Sequence, residues 1–215
     1  MDSKSEIIKI KDSIFRIKVS KPEVDSSRIL LLLHGHLGNE ESMWILTRHI
    51  SKAYTILSPR APLQTGEDQF SWHAITSEWP DIDFYRNLTG ELLSLVHHWM
   101  KSNHLMRTPV DVMGFSQGAV MAYALALLQP ENIRKIAALA GFIPSSWKDS
   151  FDGTQLADKE FFIAHGTEDE MVPYAGARRA KLWLTGKKAS VTFCKADIGH
   201  KVSADCLKKL GDFFG

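Results

Sequence analysis

The sequence predicts an α/β architecture: a mostly parallel central sheet with helices on both faces and an antiparallel hairpin at its amino-terminal edge. Three observations lead there. Short, continuously apolar runs such as Arg28-Ile29-Leu30-Leu31-Leu32-Leu33-His34 are too brief for an ordinary helix and suit parallel strands buried on both faces. Segments with apolar residues at helical intervals alternate with those runs, the pattern of a parallel sheet wrapped in helices. The stretch Gly114-Phe115-Ser116-Gln117-Gly118 sets a serine where an apolar run ends and an Ala-rich helical run begins.

Taken in order, apolar and polar residues alternate over 7–10 and 14–19 around Lys11-Asp12-Ser13, as in a hairpin with one face on the core. After Lys21-Pro22, the first buried strand over 28–34 runs into the glycine-punctuated loop His34-Gly35-His36-Leu37-Gly38. Trp44, Ile45, Leu46 and Ile50 predict a helix over 40–51, and 54–58 reads as the next strand. Residues 59–80 read as one long irregular loop, broken by Pro59, Pro62, Gly66 and Pro80 and carrying Phe70, Trp72 and Trp79. Loops of that length in compact domains are usually functional or mobile. Leu88, Leu92, Leu95, Val96 and Trp99 predict a long amphipathic helix over 81–104, opened by Asp81 or Asp83 and closed near Asn103. A strand over 109–113 and a helix over 119–128 flank the serine. Strands follow over 134–140, 160–164 and 189–195, with helices over 174–184 and 202–214.

The 215 residues fit one domain, 1–215, without a linker or an insertion long enough for a large cap. With 26 Lys and Arg against 25 Asp and Glu, the charge is balanced, which argues against nucleic acid or an anionic membrane as the main partner. No apolar stretch is long enough to span a bilayer, so no stable membrane insertion is expected. The start Met1-Asp2-Ser3-Lys4-Ser5-Glu6 lacks the apolar centre of a signal peptide, and a cytoplasmic location follows as the expectation. Cys194 and Cys206 have no metal-site spacing and read as free thiols of a reducing compartment. The nine histidines are scattered without the paired spacing of a metal site, so no metal is expected. A homodimer is left open.

A serine between a strand and a helix, with glycines two residues to either side, is the context of a nucleophile elbow. Serine is a weak nucleophile and needs a base, and the base needs a carboxylate to hold its ring. On such a sheet the order along the chain is serine, acid, histidine. Two histidines follow Ser116. His200, in a loop between the last strand and the last helix, is the candidate base; His165 closes a strand and reads as a packed rim residue. Glu168, Asp169 and Glu170 compete for the acid, and spacing does not separate them; Asp197 ranks below them. Acyl transfer also needs donors for the developing oxyanion, here the backbone N–H groups of Gln117 and His36. Trp72, Phe142 and Met171 lie in loops that reach the same rim and are candidates for lining the substrate pocket. The pairs His97-His98 and Arg178-Arg179 read as solvated helix faces.

Taken together, Leu33-His34-Gly35, Ser58-Pro59-Arg60-Ala61-Pro62, Gly114-Phe115-Ser116-Gln117-Gly118, His165-Gly166-Thr167-Glu168-Asp169 with Val172-Pro173, and Gly199-His200 resemble the carboxylesterase and acyl-protein thioesterase (phospholipase/carboxylesterase) family of α/β-hydrolases. The likeness covers nearly the whole chain after the hairpin. It implies the α/β-hydrolase fold, singles out Asp169 as the acid, matches His200 as the base, and implies cofactor-free hydrolysis of small-molecule carboxylic esters or thioesters. Many members carry Leu where this chain has His36. The aromatic segment Phe70-Ser71-Trp72-His73 looks more like the bacterial carboxylesterase branch. The reading is therefore a serine esterase for short to medium acyl chains, with a thioesterase as the alternative and a non-catalytic ligand-binding protein as the rival of another class.

Overall fold

The amino-terminal alternation becomes β1 (Glu6–Ile10) and β2 (Ser13–Lys18), paired antiparallel about a turn in which Lys11 takes φ 52°. The computed structural model describes residues 5–20 and 28–215; the expected break at Lys21-Pro22 and the stretch Met1 to Lys4 lie outside them. β2 pairs antiparallel with β4 (Thr55–Pro59), and the remaining strands of the same sheet join in parallel: β3 (Ile29–Leu33), β7 (Val110–Phe115), β8 (Ile133–Leu139), β9 (Glu160–Gly166) and β10 (Ser190–Ala196). The eight strands run in the order β1-β2-β4-β3-β7-β8-β9-β10. This is the α/β-hydrolase arrangement that the sequence predicts.

The apolar runs are strands because both of their faces are covered: all five residues of β3 are buried. On one face lie α1 (Ile82–Ser102), α2 (Gln117–Leu128) and α3 (Tyr174–Gly186), packed with Leu31, Val112, Ile136 and Phe161. On the other lies α4 (Ala204–Phe214), whose Cys206, Leu210 and Phe214 meet Leu30, Leu32, Met113 and Phe162. The N-cap of α1 is Asp81, which accepts the Phe84 N–H at 3.0 Å, and its C-cap is Asn103. α2 is buried from Gln117 through Leu127, as a helix apolar on every side must be.

Three expectations are corrected. Residues 40–51 do not form an α-helix: a 3₁₀ segment, Trp44–His49, follows a set of turns. Asn39 Oδ1 accepts from the Glu41 N–H at 3.0 Å and Glu40 is tied to Arg60, while the Arg16 guanidinium lies 4.6 Å over the Trp44 ring. These side-chain and distant partners compete with the helical ladder. The long loop 59–80 is not wholly irregular, since β5 (Leu63–Gly66) and β6 (Gln69–Ser71) pair as a small hairpin around Asp68 at φ 53°. Finally, Cys194 and Cys206 are not free thiols but a disulfide, with Cα atoms 5.8 Å apart. β10 and α4 bury both residues in the same apolar layer, and the argument from free thiols to a reducing compartment falls. Among the described residues no helix is long and apolar enough to cross a membrane.

Candidate active site

The chain leaves β3 for β4 on one side and later returns to place β7 on the other, so the order of strands reverses between β3 and β7. Beyond the carboxyl ends of two such strands lies the crevice where α/β sheets bind ligands. Gly35 follows β3 and Ser116 follows β7.

Ser116 takes φ 53° and ψ −117°, a strained conformation for a residue with a side chain, costing about 1–3 kcal/mol. Its neighbours enforce it. The Ser116 N–H donates to Leu139 O at 2.8 Å, and the Ser116 carbonyl accepts the Ala119 N–H at 2.9 Å. A Cβ on Gly114 would collide with the Gly118 carbonyl, and one on Gly118 with the carbonyl of Leu33. The two glycines thus let strand, turn and helix close on one another, leaving the serine at the crest.

Three carboxylates are buried among the described residues: Glu40, Asp111 and Asp169. Glu40 is held by the Arg60 guanidinium through two bonds of 2.7 Å, and Asp111 by Arg134, at the far end of β7 from Ser116. Asp169 instead faces histidines. Its Oδ1 accepts the N–H groups of Met171 and Val172 at 3.0 and 2.8 Å, and its Oδ2 lies 2.7 Å from His200 Nδ1. A carboxylate accepts only, so Nδ1 carries the hydrogen, and Nε2 is left with a lone pair. Glu168 and Glu170, which flank Asp169, point to solvent, and Asp197 accepts from Thr167 Oγ1 at 2.7 Å. The loops meet because Gly166 has no Cβ: one there would strike the carbonyls of Ile198 and Gly199. The Glu168 N–H then reaches Ile198 O at 3.1 Å.

His165 sits in the upper rim of the sheet, with its Nε2 2.8 Å from Val172 O and 3.2 Å from Asp169 Oδ2. Its Nδ1 is buried without a hydrogen-bond partner. The second histidine against the carboxylate is a feature that sequence reasoning missed; its one trace was the four-residue spacing from Asp169.

The loop after β3 turns sharply, with Leu37 at φ 61° and the Gly38 N–H on Gly35 O at 3.1 Å. A Cβ on Gly35 would lie 3.3 Å from Ser116 Cβ, which places this loop directly beside the serine. His34 braces it from beneath: Nδ1 lies 2.8 Å from Gly35 O, and Nε2 accepts the Ala61 N–H at 3.0 Å. Burial pushes the His34 pKa down, favouring the neutral ring that this pairing needs. The His36 ring meets Ser71 Oγ at 2.7 Å. Gln117 opens α2, where first-turn N–H groups have no partner within the helix. Its side chain is occupied elsewhere, accepting the Trp72 N–H at 2.8 Å and donating to His73 O at 3.0 Å.

Ligand sites are typically cavities of about 300–1,000 Å³, and the one here measures about 630 Å³, with Ser116, His200, Gly35, His36 and Met171 in its wall. Of the three pocket candidates, Met171 lines this cavity and the other two do not. Trp72 is 3% exposed, its indole N–H donating to His34 O at 2.8 Å. Phe142 packs edge-on against Trp79 at 4.9 Å. Both were expected at the rim because their loops reach it, but these rings turn inward. Arg60, Glu40 and the Gln117 amide, which anchor the loops, carried no pairing signal in the sequence.

A profile of the Phospholipase/Carboxylesterase family matches residues 16–214. The chain is 26% identical over 211 residues to mouse Lysophospholipase-like protein 1, covering 89% of this chain and 87% of that one. It is 24% identical over 198 residues to Esterase YpfH of Escherichia coli, covering 86% and 80%. Among solved structures, the Bacillus cereus carboxylesterase superposes with a TM-score of 0.81 at 22% identity, covering 95% of this chain and 94% of that one.

Proposed function

The chain belongs to the phospholipase/carboxylesterase family of ester and thioester hydrolases, and from that premise we propose that it cleaves carboxylic esters of short to medium acyl chains through an acyl-enzyme on Ser116. His200 Nε2 takes the Ser116 proton as Oγ attacks the carbonyl carbon. The tetrahedral oxyanion is held by the N–H groups of His36 and Gln117, each such donor contributing about 10²–10³ in rate. His200 returns the proton to the leaving oxygen, and the ester bond breaks. Water then enters beside His200 and is activated in the same way, releasing the acid and restoring the serine. Asp169 keeps the imidazole in the right tautomer and stabilises the imidazolium that forms in both steps.

The observation that carries this reading is the 2.7 Å contact of Asp169 Oδ2 with His200 Nδ1, in a histidine that shares a cavity wall with a strained Ser116. A thioester has the same carbonyl and a better leaving group, so matched oxygen and sulfur esters belong in one panel. Ser116→Ala should abolish p-nitrophenyl ester turnover, a loss of about 10⁶-fold, together with labelling by a fluorophosphonate probe. Labelling that survives the substitution would rule out Ser116 as the nucleophile.

A further inference from the structure

Asp169 is met by two histidines, and only one of them enters the reaction. Beside His200 stands His165, near the end of β9, its side chain fully buried together with that of Asp169. Its Nε2 lies 2.8 Å from Val172 O and 3.2 Å from Asp169 Oδ2. Both of those oxygens only accept, so Nε2 carries the ring's hydrogen. Nδ1 is then the acceptor, and it is buried with no hydrogen-bond partner among the described residues. A buried acceptor left without a donor is a cost. An aliphatic or phenyl side chain would fill the same space beside Tyr174 without it, so packing alone does not account for an imidazole here. What the imidazole adds is the Nε2 hydrogen.

That hydrogen sits where the loop carrying the acid closes on itself. Val172 donates its N–H to Asp169 Oδ1 at 2.8 Å and offers its carbonyl to His165. His165 therefore grips the residue that grips the carboxylate, and it brings a polarised N–H beside the same Oδ2 that His200 Nδ1 meets at 2.7 Å. β9 is paired on both edges, with β8 and β10, so the ring projects from a fixed support. We propose that His165 is a positioning residue: it fixes the direction of the Asp169 carboxylate, so that Oδ2 stays on His200 while the base gains and loses its proton. A constellation of this kind works only when its supporting contacts hold each group close to the productive geometry. The proposal rests on the acyl-enzyme reading above. His165 acts through Asp169 and takes no proton in the reaction.

The test compares two substitutions in the full chain, with a p-nitrophenyl ester and the fluorophosphonate probe as reagents. His165→Leu fills the place and removes both nitrogens; it lowers kcat by about 10²-fold, as a displaced catalytic group does, while KM stays within about twofold. Probe labelling of Ser116 slows by the same factor. His165→Gln keeps an N–H donor at the reach of Nε2 and holds kcat within about fivefold of the wild type, the worth of one altered hydrogen bond. In an Asp169→Asn background, His165→Leu slows labelling by no more than about twofold further, since partners acting through one group do not add. ¹⁵N spectra of the wild-type imidazoles place the His165 hydrogen on Nε2, and that resonance moves in Asp169→Asn. A Gln variant as slow as the Leu variant, a Leu variant that loses stability but keeps kcat, or a His165 hydrogen found on Nδ1 would each overturn the positioning role, the last even where neither variant folds. Any of these results in an active, probe-labelled enzyme leaves the esterase reading intact. A wild type inert to both ester and probe would sink that reading and the role with it.

Discussion

The two flanks of Ser116 are built on different principles. On the aromatic side, Trp72 and His73 are fastened by hydrogen bonds to His34 and to the Gln117 amide, and Trp79 and Phe142 complete a packed wall. On the aliphatic side, the 3₁₀ segment and α4 stand apart over an open cavity, and a disulfide between Cys194 and Cys206 ties α4 to the sheet. The difference teaches that large rings near a nucleophile are not by themselves a binding surface. Where the ring's polar atom already has a buried partner, the side chain holds the scaffold; aliphatic side chains around the hollow stay exposed.

The largest expected effect lies on the line between the flanks. Asp169→Asn should lower kcat by about 10⁴-fold through the wrong imidazole tautomer, whereas Glu168→Gln and Glu170→Gln should stay within about twofold, as surface changes do. Steady-state kinetics on one activated ester decides it, and a crippled Glu168→Gln would overturn the choice of acid.

Next comes the aromatic wall. Trp72→Ala should cost about 3–5 kcal/mol of stability, read from urea unfolding. If stability were kept and only KM rose, Trp72 would belong to the pocket and the contrast between flanks would fail. On the aliphatic side, Cys206→Ser should cost about 2–4 kcal/mol for a closed loop of this length. Full reduction should move the wild-type urea midpoint to that of the variant and leave the variant unmoved. A reduced wild type with two titratable thiols and an unchanged midpoint would show that the tie contributes nothing.

The smallest effect is one of pH. Burial lowers the pKa of His34 under the loop after β3, and likewise that of His73 in the aromatic wall, from an ordinary 6.5. The unfolded chain therefore takes up protons first as the pH falls, so the stabilisation is complete above the ordinary value and is lost on the way down to the folded one. The urea midpoint should fall between pH 7.5 and pH 5. His34→Asn should flatten part of that slope; an unchanged slope would mean that His34 is not among the groups responsible.

Much of this was legible in the chain itself, and the reason is range. The run of leucines before His34, the Ala-rich α2 and the glycines at 114 and 118 report constraints acting over a few residues: burial on two faces, burial all round, and close approach at a tight turn. Of the site, Ser116 and His200 stood out by their place between a strand and a helix. Asp169 did not separate from Glu168 and Glu170 by spacing, because what distinguishes it is the direction its side chain takes once two loops meet. The helix expected over 40–51 failed for a related cause: its periodicity was real, but Arg60, just after β4, and Arg16 of β2 claimed Glu40 and the Trp44 ring.

The sequence by itself determined the layered α/β plan, the alternation of the main-sheet strands with α1 to α4 and the turn that lifts Ser116, since each follows from the pattern of neighbouring residues. Only the tertiary structure decided that Cys194 meets Cys206, that Trp72 turns inward while Met171 faces the cavity, and that His165 joins His200 against one carboxylate. Those outcomes depend on which residues distant in the chain are packed together, and local pattern carries no record of that pairing.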